Sequence, residues 1–237
     1  VLLKMSPVND YLGPLFEQAM EPLIQAGYLR VIYGGVDVGT IAVNHPLVDE
    51  VHITGSIHSH DEIVWGPPGS ERDRRISAGT PLLTKPVTSE LGSVSPWILV
   101  PGKYSRKQLE FQAENVATSV INNVSFNCVA TKVLITWKHW PLRSRFLDLI
   151  DAVFARTAPR FSYYPGAIDR YRRFTGVDTS TELDENLPWT LLRDVSPDEP
   201  ARHFSEESFA CVLAEVGLDE LRRVAALALR AVFERGT

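Results

Sequence analysis

Short runs of β-branched and apolar residues alternate along this chain with longer stretches of helical spacing. Near the start, this alternation predicts strands over residues 1–5, 30–33 and 50–54, separated by helices over residues 12–25 and 38–44. Gly27 stands where the first helix should stop, because glycine tolerates the left-handed backbone that ends many helices. Strands and helices in this order form a parallel sheet with helices on its faces. The sequence therefore predicts an α/β fold.

The alternation continues through the rest of the chain. A helix over residues 105–122 has Ser105 as its N-cap and one apolar stripe, formed by Leu109, Ala113, Val116, Ala117, Val120 and Ile121. Further strands are predicted over residues 87–90, 97–100, 132–137 and 208–216, and further helices over residues 143–156, 167–174 and 218–233. Residues 65–86 combine proline, glycine and clustered charge, which is typical of an exposed loop. We expect the first strand to be buried.

Composition argues against several classes of protein. The 237 residues carry a formal net charge of -5, which gives no basic surface for nucleic acid or anionic lipid. No apolar run approaches the roughly 20 residues of a membrane-spanning helix. The sequence has only two cysteines, so a disulfide framework is not expected and a cytoplasmic location is favoured. Because the first residues already have the pattern of a strand, we expect the chain to be a piece of a longer protein.

The two cysteines have different surroundings. Cys128 lies between the strongest predicted helix and the next predicted strand, a junction that can place a side chain at a surface. A cysteine nucleophile requires such a polar, partly exposed position. Most lone cysteines, however, are buried as small apolar residues, and the pattern alone leaves both interpretations of Cys128 open. Cys211 lies within an apolar strand, where burial in the core is expected.

Four short motifs are spread over nearly the whole chain. They are Ile-Thr-Gly-Ser at residues 53–56, Glu-Leu-Gly-Ser-Val-Ser-Pro at 90–96, Asn-Val-Ser-Phe-Asn-Cys at 123–128, and Asp-Val-Ser-Pro at 194–197 followed by Glu-Glu-Ser-Phe at 206–209. In this order they resemble the Phe-Thr-Gly-Ser, Glu-Leu-Gly-Gly-Lys-Ser-Pro, Asn-x-Gly-Gln-x-Cys and Glu-Glu-Ile-Phe-Gly-Pro-Val motifs of NAD(P)-dependent aldehyde dehydrogenases. Each similarity is weak alone, but four in the same order are specific.

The resemblance implies a fold, a division of the chain and a reaction. A Rossmann-type parallel sheet would be followed by an α/β catalytic domain, so residues 1–92 correspond to the second half of the NAD(P)-binding domain and residues 93–237 to the catalytic domain. The family oxidises an aldehyde to a carboxylic acid through a cysteine thiohemiacetal and thioester. By resemblance, Cys128 would be the nucleophile and Glu90 the general base that activates water.

The resemblance also implies NAD or NADP as the cofactor. The positions that match the family's cofactor contacts are Lys4 for the adenosine ribose, Gly55 and Ser56 for the pyrophosphate, Leu91, Glu207 for the nicotinamide ribose, and Phe209 for that end of the pocket. The choice between NAD and NADP stays open, because Pro7 stands where an acidic residue would favour NAD. No metal is implied, since His58 and His60 lack a third ligand of suitable spacing.

Departures from the family pattern keep two other interpretations open. Ser125 and Phe126 replace the Gly-Gln of the cysteine signature, His60 replaces a glycine, and the Pro-Trp-Asn motif of a second oxyanion donor is absent from these residues. A degenerate module without catalysis would explain these changes. An acylating relative that passes the thioester to coenzyme A is the other alternative, and Glu90 counts against it. Expected partners are a small-molecule aldehyde and further copies of the parent protein in a homo-oligomer, but neither nucleic acid nor a membrane.

Overall fold

The computed structural model of the protein describes residues 1–178, 180–197 and 202–219. The chain forms two compact units, Val1–Leu91 and Gly92–Thr237. The helix predicted over residues 218–233 lies outside the described residues from position 220 onward. Within the described part of the chain, no helix has both the length and the apolar character that crossing a membrane requires.

The first unit contains two pairs of parallel strands. Strand β1 (Leu2–Lys4) pairs with β2 (Arg30–Ile32), and β3 (Val51–Gly55) pairs with β4 (Val87–Leu91). The helices of this unit are α1 (Gly13–Ala19), α2 (Glu21–Gln25), α3 (Val36–Asn44), α4 (Ile57–Val64) and α5 (Ser70–Ala78), with a 3-10 turn (Asp10–Leu12) before α1. These strands and α3 confirm the α/β alternation predicted from the sequence.

Two local predictions for this unit are wrong, namely a single helix over residues 12–25 and the burial of the first strand. The single helix predicted over residues 12–25 is divided into α1 and α2, because Pro22 has no N–H to donate to the carbonyl of Gln18. Gly27 does end α2 and adopts a φ of 79°, as expected. Strand β1 is not buried, since Leu2 keeps 51% of its surface exposed.

The segment predicted as an exposed loop, residues 65–86, contains helix α5. Its side chains are mostly exposed, as expected, but the prediction of a loop is wrong for this part. Glu71 forms ion pairs with Arg74 and Arg75 one turn further along, which stabilises the helix locally. Gly79 ends it in the left-handed conformation with a φ of 63°. The clustered charges of alternating sign in this segment therefore belong to a solvent-exposed helix and not to a loop.

The second unit is built on one parallel sheet. Its strands are β5 (Ser95–Ile98), β6 (Thr131–Trp137), β7 (Thr190–Leu192) and β8 (Val212–Leu218), in the spatial order β5-β6-β8-β7. The described helices are α6 (Arg106–Ile121), α7 (Arg143–Arg156), α8 (Ala167–Thr175) and α9 (Arg202–Ser205). Strand β7 was not predicted, and Leu218 belongs to β8 although a helix was predicted to begin there.

Helix α6 forms as its sequence predicts. Ser105 accepts a hydrogen bond from the N–H of Gln108 and the Gln108 side chain accepts one from the N–H of Ser105, which is a complete capping box. All six residues of the predicted stripe are buried in the main core. This core also contains Leu134 of β6 and Phe146 of α7, so the helices are packed against the sheet.

A buried charged network fixes β8 to α7. Glu215 is fully buried, and its carboxylate accepts hydrogen bonds from the guanidinium of Arg143, from the hydroxyl of Thr136 and from the N–H of Asp194. Burial lowers the pKa of Arg143, but the hydrogen bonds from Arg143 to Glu215 and Asp194 raise it on balance. Arg143 therefore stays charged, and the buried carboxylate has a partner for each oxygen.

Candidate active site

Two of the sequence motifs lie side by side at the carboxyl ends of β3 and β4. The parallel register pairs Thr54 with Glu90 and Gly55 with Leu91. The side chain of Glu90 is exposed. Ligands of parallel sheets bind at the carboxyl ends of the strands, so the register places these predicted site residues where a ligand can reach them.

Helix α4 begins directly after β3 and presents its amino end at the same edge. Ser56 caps the helix, and its Oγ accepts a hydrogen bond from the N–H of Ser59 at 3.1 Å. Among the described residues, the N–H groups of Ile57 and His58 donate no hydrogen bond. Apart from Gly55 and its two chain neighbours, no described residue has an atom within 4 Å of the position that a Cβ would take at Gly55. Free N–H groups at a helix start attract anions, and the open space lets one approach.

Lys4 lies at the carboxyl end of β1, on the other pair of strands in this unit. Its ammonium donates to the carbonyl of Met5 at 3.2 Å. Its aliphatic part lies against α3, where a Cβ at Gly39 would be 3.4 Å from the Cε of Lys4. This is an ordinary contact distance, so α3 packs against the lysine and its partly exposed cation stays beside the strand end.

Cys128 lies in the second unit, on a loop with an unusual backbone. We call residues 122–128, between α6 and β6, the cysteine loop. Asn123, Val124 and Ser125 have φ angles of 47°, 57° and 64°, in the left-handed region that side chains disfavour. The side chain of Asn123 stabilises this turn by donating to the carbonyl of Phe126 at 3.1 Å. Strain of this kind persists only where the surrounding structure holds it in place.

The thiol of Cys128 is exposed at the end of this loop. Its carbonyl accepts a hydrogen bond from the hydroxyl of Ser95 at 3.0 Å, which links the loop to β5. Its own N–H donates no hydrogen bond among the described residues. An accessible thiol, beside an N–H that is unused among the described residues, has the chemistry that a nucleophile and a donor to an oxyanion require.

Beneath the loop lies Lys132, a residue that the sequence interpretation did not single out. Only 3% of its surface is exposed. Burial lowers its pKa to about 8, although electrostatic interactions with Glu207 and Cys128 act to raise it. Lysine is almost never buried without partners, so a lysine at the start of an apolar strand was the available signal. That signal was missed because the strand as a whole has a plain apolar pattern.

Glu207 and Phe209 lie on the same side of this unit as the cysteine loop. The ring of Phe209 is 5.4 Å from that of Phe126 and 5.7 Å from the ammonium of Lys132, measured to the ring centroid. Phe209 itself has a φ of 40°. The structure thus brings Cys128, Glu207 and Phe209 together around Lys132, although they come from motifs far apart in the chain.

Gly92 makes room for the carboxylate of Glu207. A Cβ at position 92 would lie 2.9 Å from the carboxyl carbon of Glu207 and would overlap one of its oxygens. Any side chain at this point would displace the carboxylate. The glycine that follows Glu90 and Leu91 in the second motif therefore fits the glutamate of the fourth motif, within the second unit.

Cys211 has the properties of a core residue, as expected. It is fully buried, and burial raises its pKa to about 11. Its sulfur lies 3.8 Å from the carbonyl oxygen of Val124. The two cysteines are therefore distinguished by environment, since only Cys128 is open to solvent. Among the residues that the structure describes, no group of three or more histidine, cysteine or acidic side chains could hold a metal ion.

The chain is similar in sequence to a curated aldehyde dehydrogenase over part of its length. A Bacillus subtilis (strain 168) protein named as the aldehyde dehydrogenase DhaS is 31% identical over 131 residues, which is 53% of this chain and 22% of the relative. No family model matches the chain. The partial match agrees with the divergence of the motifs.

Solved structures of similar fold cover almost the whole chain. The NADP-dependent glyceraldehyde-3-phosphate dehydrogenase of Bacillus halodurans C-125, complexed with NADP, matches 98% of it with a TM-score of 0.71 and 19% identity. Lactaldehyde dehydrogenase from Escherichia coli matches 96% with 0.74 and 18% identity. Aldehyde dehydrogenase C of Pseudomonas syringae, complexed with NAD+ and octanal, matches 97% with 0.74 and 19% identity. The chain spans 48%, 48% and 49% of these three proteins respectively, about half of each.

Proposed function

We propose that the chain is a divergent and partial relative of the aldehyde dehydrogenases, and that the protein oxidises an aldehyde to a carboxylic acid with NAD+ or NADP+. The observation that carries the proposal is the cysteine loop. There an exposed thiol and an N–H that is unused within the described part of the chain belong to the same residue, Cys128, and Lys132 interacts with Cys128, Glu207 and Phe209. We further propose that residues 1–92 contribute to cofactor binding and residues 93–237 to catalysis.

The described residues have the chemistry that a dinucleotide needs. The amino end of α4 at Ser56, with the open space at Gly55 beside Leu91, suits a pyrophosphate. The ammonium of Lys4 and the carboxylate of Glu207 suit ribose hydroxyl groups. The ring of Phe209 provides an apolar face beside Glu207. When bound, NAD+ or NADP+ supplies the two-electron acceptor for the oxidation.

Cys128 would begin the reaction. Its thiolate sulfur forms a bond to the aldehyde carbon, and the carbonyl oxygen takes up the electron pair as an oxyanion. The N–H of Cys128 would donate to that oxygen, and one such donor is worth about 3 kcal/mol of barrier. Removal of hydride from the same carbon leaves a thioester on the sulfur of Cys128.

Glu90 would complete the reaction as general base. Its carboxylate takes a proton from water while the water oxygen forms a bond to the thioester carbon. The carbon–sulfur bond then breaks, which releases the carboxylic acid and returns Cys128 as the thiolate. The exposed position of Glu90 on β4 allows contact with water.

The test measures reduction of NAD+ and NADP+ by the protein at its natural length, with a panel of aliphatic and aromatic aldehydes. We expect Cys128→Ala to abolish turnover. We expect Glu90→Gln to give a stoichiometric burst of reduced cofactor and then to stall, because thioester hydrolysis is blocked. Glu50→Gln, another exposed glutamate of the same unit, is the matched control and should turn over normally.

Three outcomes would change the proposal. Steady turnover by Glu90→Gln would remove the assigned role of Glu90. Release of acyl-coenzyme A when coenzyme A is added would point to an acylating enzyme. If the protein neither binds cofactor nor reduces it, the chain would be a module without catalysis.

A further inference from the structure

The buried lysine beneath the cysteine loop uses all of its donors on that loop. The ammonium of Lys132 donates to the carbonyl of Ser125 at 2.8 Å, to the hydroxyl of Ser125 at 3.2 Å and to the carbonyl of Asn127 at 3.3 Å. An ammonium has three N–H donors, so each one is accounted for. The two carbonyls belong to residues that lie one and three positions before Cys128.

These hydrogen bonds act on the strained part of the loop. Ser125 is the last of the three consecutive residues in the left-handed region, and it is fully buried. Asn127 immediately precedes the nucleophile, and its carbonyl also accepts a hydrogen bond from the N–H of Ala130 at 3.1 Å. A cation that bonds both sides of the turn therefore opposes its relaxation toward ordinary backbone angles.

Burying an ammonium for this purpose is costly. Removal from water disfavours the charged form, which is why the pKa of Lys132 is lowered to about 8. An apolar residue would fill the same place in the strand without this cost. Buried ionisable groups with strongly shifted pKa values are concentrated at functional sites. The position beneath Cys128 gives a physical reason for such a group.

We propose that Lys132 is a positioning residue, whose ammonium fixes the cysteine loop so that the thiol and N–H of Cys128 are held ready for the aldehyde. The inference rests on the proposed function, because it assigns Lys132 a task in presenting the nucleophile. Lys132 itself contacts the loop and acts through it. Misplacing a reacting group by about 1 Å lowers a rate by about a hundredfold.

Other titratable and charged groups lie near Lys132 and bear on its ionisation. Glu207, Cys128 and Cys211 act on it electrostatically. His203 and Glu206 line the same small cavity as Lys132, and Arg170 of α8 lies over the ring of Phe209. Near pH 8, His203 is already neutral, because burial lowers its pKa from 6.5. Cys211 is still protonated there, since its pKa is about 11.

The experiment compares the wild-type protein with Lys132→Met, Lys132→Arg and the control Lys107→Met, which changes an exposed lysine of α6. The first measurement is the rate at which iodoacetamide alkylates Cys128 in the native protein, followed by peptide mapping, with buried Cys211 as the internal reference. The second is the pH profile of kcat/KM. In Lys132→Met we expect iodoacetamide to alkylate Cys128 about tenfold to a hundredfold more slowly than in the wild type, and kcat/KM to fall by a similar factor. Lys107→Met should match the wild type in both measurements.

The pH profile separates positioning from a merely structural role. Above about pH 8 the amine of wild-type Lys132 keeps two donors and loses one bond to the loop, so kcat/KM should decline. Arginine stays charged, so Lys132→Arg should lack this alkaline decline even if its activity is lower overall. This comparison also decides the matter if Lys132→Met fails to fold.

The inference would be overturned if iodoacetamide alkylated Cys128 in Lys132→Met at the wild-type rate. It would also be overturned if kcat/KM of Lys132→Arg still declined above about pH 8. Failure of the proposed function has a different signature, namely undiminished turnover by Cys128→Ala. In that case the alkylation rates would still show whether Lys132 positions the thiol.

Discussion

The close contact between Gly92 and Glu207 predicts how much Gly92→Ala should weaken the binding of NAD+ or NADP+. In Gly92→Ala the added methyl group would lie 2.9 Å from the carboxyl carbon of Glu207. Carbon atoms in contact settle about 3.5 to 4.0 Å apart, so the carboxyl carbon must retreat by about 0.6 to 1.1 Å, and the oxygen that the methyl group would overlap must move further. That displacement is enough to break the hydrogen bond that we propose between Glu207 and a ribose hydroxyl, because such bonds weaken steeply beyond their optimal length.

The size of the effect follows from the charge of the acceptor. A hydrogen bond to a charged group contributes about 1.5 to 3 kcal/mol. Its loss corresponds to a dissociation constant for NAD+ or NADP+ that is about 10- to 150-fold higher. The fold itself should tolerate the change, since Gly92 does not have a positive φ that only glycine can adopt. We therefore expect weaker binding at an unchanged free energy of unfolding.

Isothermal titration calorimetry with each cofactor measures the dissociation constants, and urea denaturation measures stability. Gly102→Ala is the matched control, because a Cβ there meets only Tyr104 at an ordinary distance of 3.4 Å. The double variant Gly92→Ala with Glu207→Ala tests the mechanism. Once the carboxylate is absent, the alanine should have no further effect on binding. Wild-type affinity in Gly92→Ala, or an undiminished effect in the double variant, would refute the reasoning.

Two further predictions concern buried charges in the second unit. Glu215→Ala removes the buried carboxylate that accepts two hydrogen bonds from the partly exposed guanidinium of Arg143, which keeps its bonds to Thr136 and Asp194. We expect the free energy of unfolding in urea to fall by about 1 to 3 kcal/mol, and a loss below about 0.5 kcal/mol would contradict this account of the network. Lys132 has a pKa of about 8 when folded and about 10.5 when unfolded, so the unfolded chain binds more protons between these values and stability should rise with pH there, by at most about 3 kcal/mol. Lys132→Met should lack this rise, and a wild-type curve that falls over the same range would show that the lysine is not desolvated.

Local patterns in the sequence determined much of the fold. Helix α6 has its start at a Ser–Gln capping box and its buried face at six apolar positions of helical spacing, and all of this information lies within one short stretch. The alternation of strands and helices that predicts a parallel α/β fold is local in the same sense. The four motifs and their order along the chain also identified the candidate site residues. The roles assigned to those residues stay predictions.

What the tertiary structure decided depends on residues that are far apart in the chain. The electrostatic coupling of Lys132 to Glu207 exists only because β6 and the segment before β8 lie together, whereas its hydrogen bonds to Ser125 and Asn127 join residues close in the chain. The fit of Gly92 against Glu207 is of the same kind. Periodicity reports which face of an element is apolar, but it carries no information about which distant side chain meets that face. The cysteine and the lysine were therefore both present as local signals, whereas the electrostatic coupling of that lysine to Glu207 was not visible in the sequence.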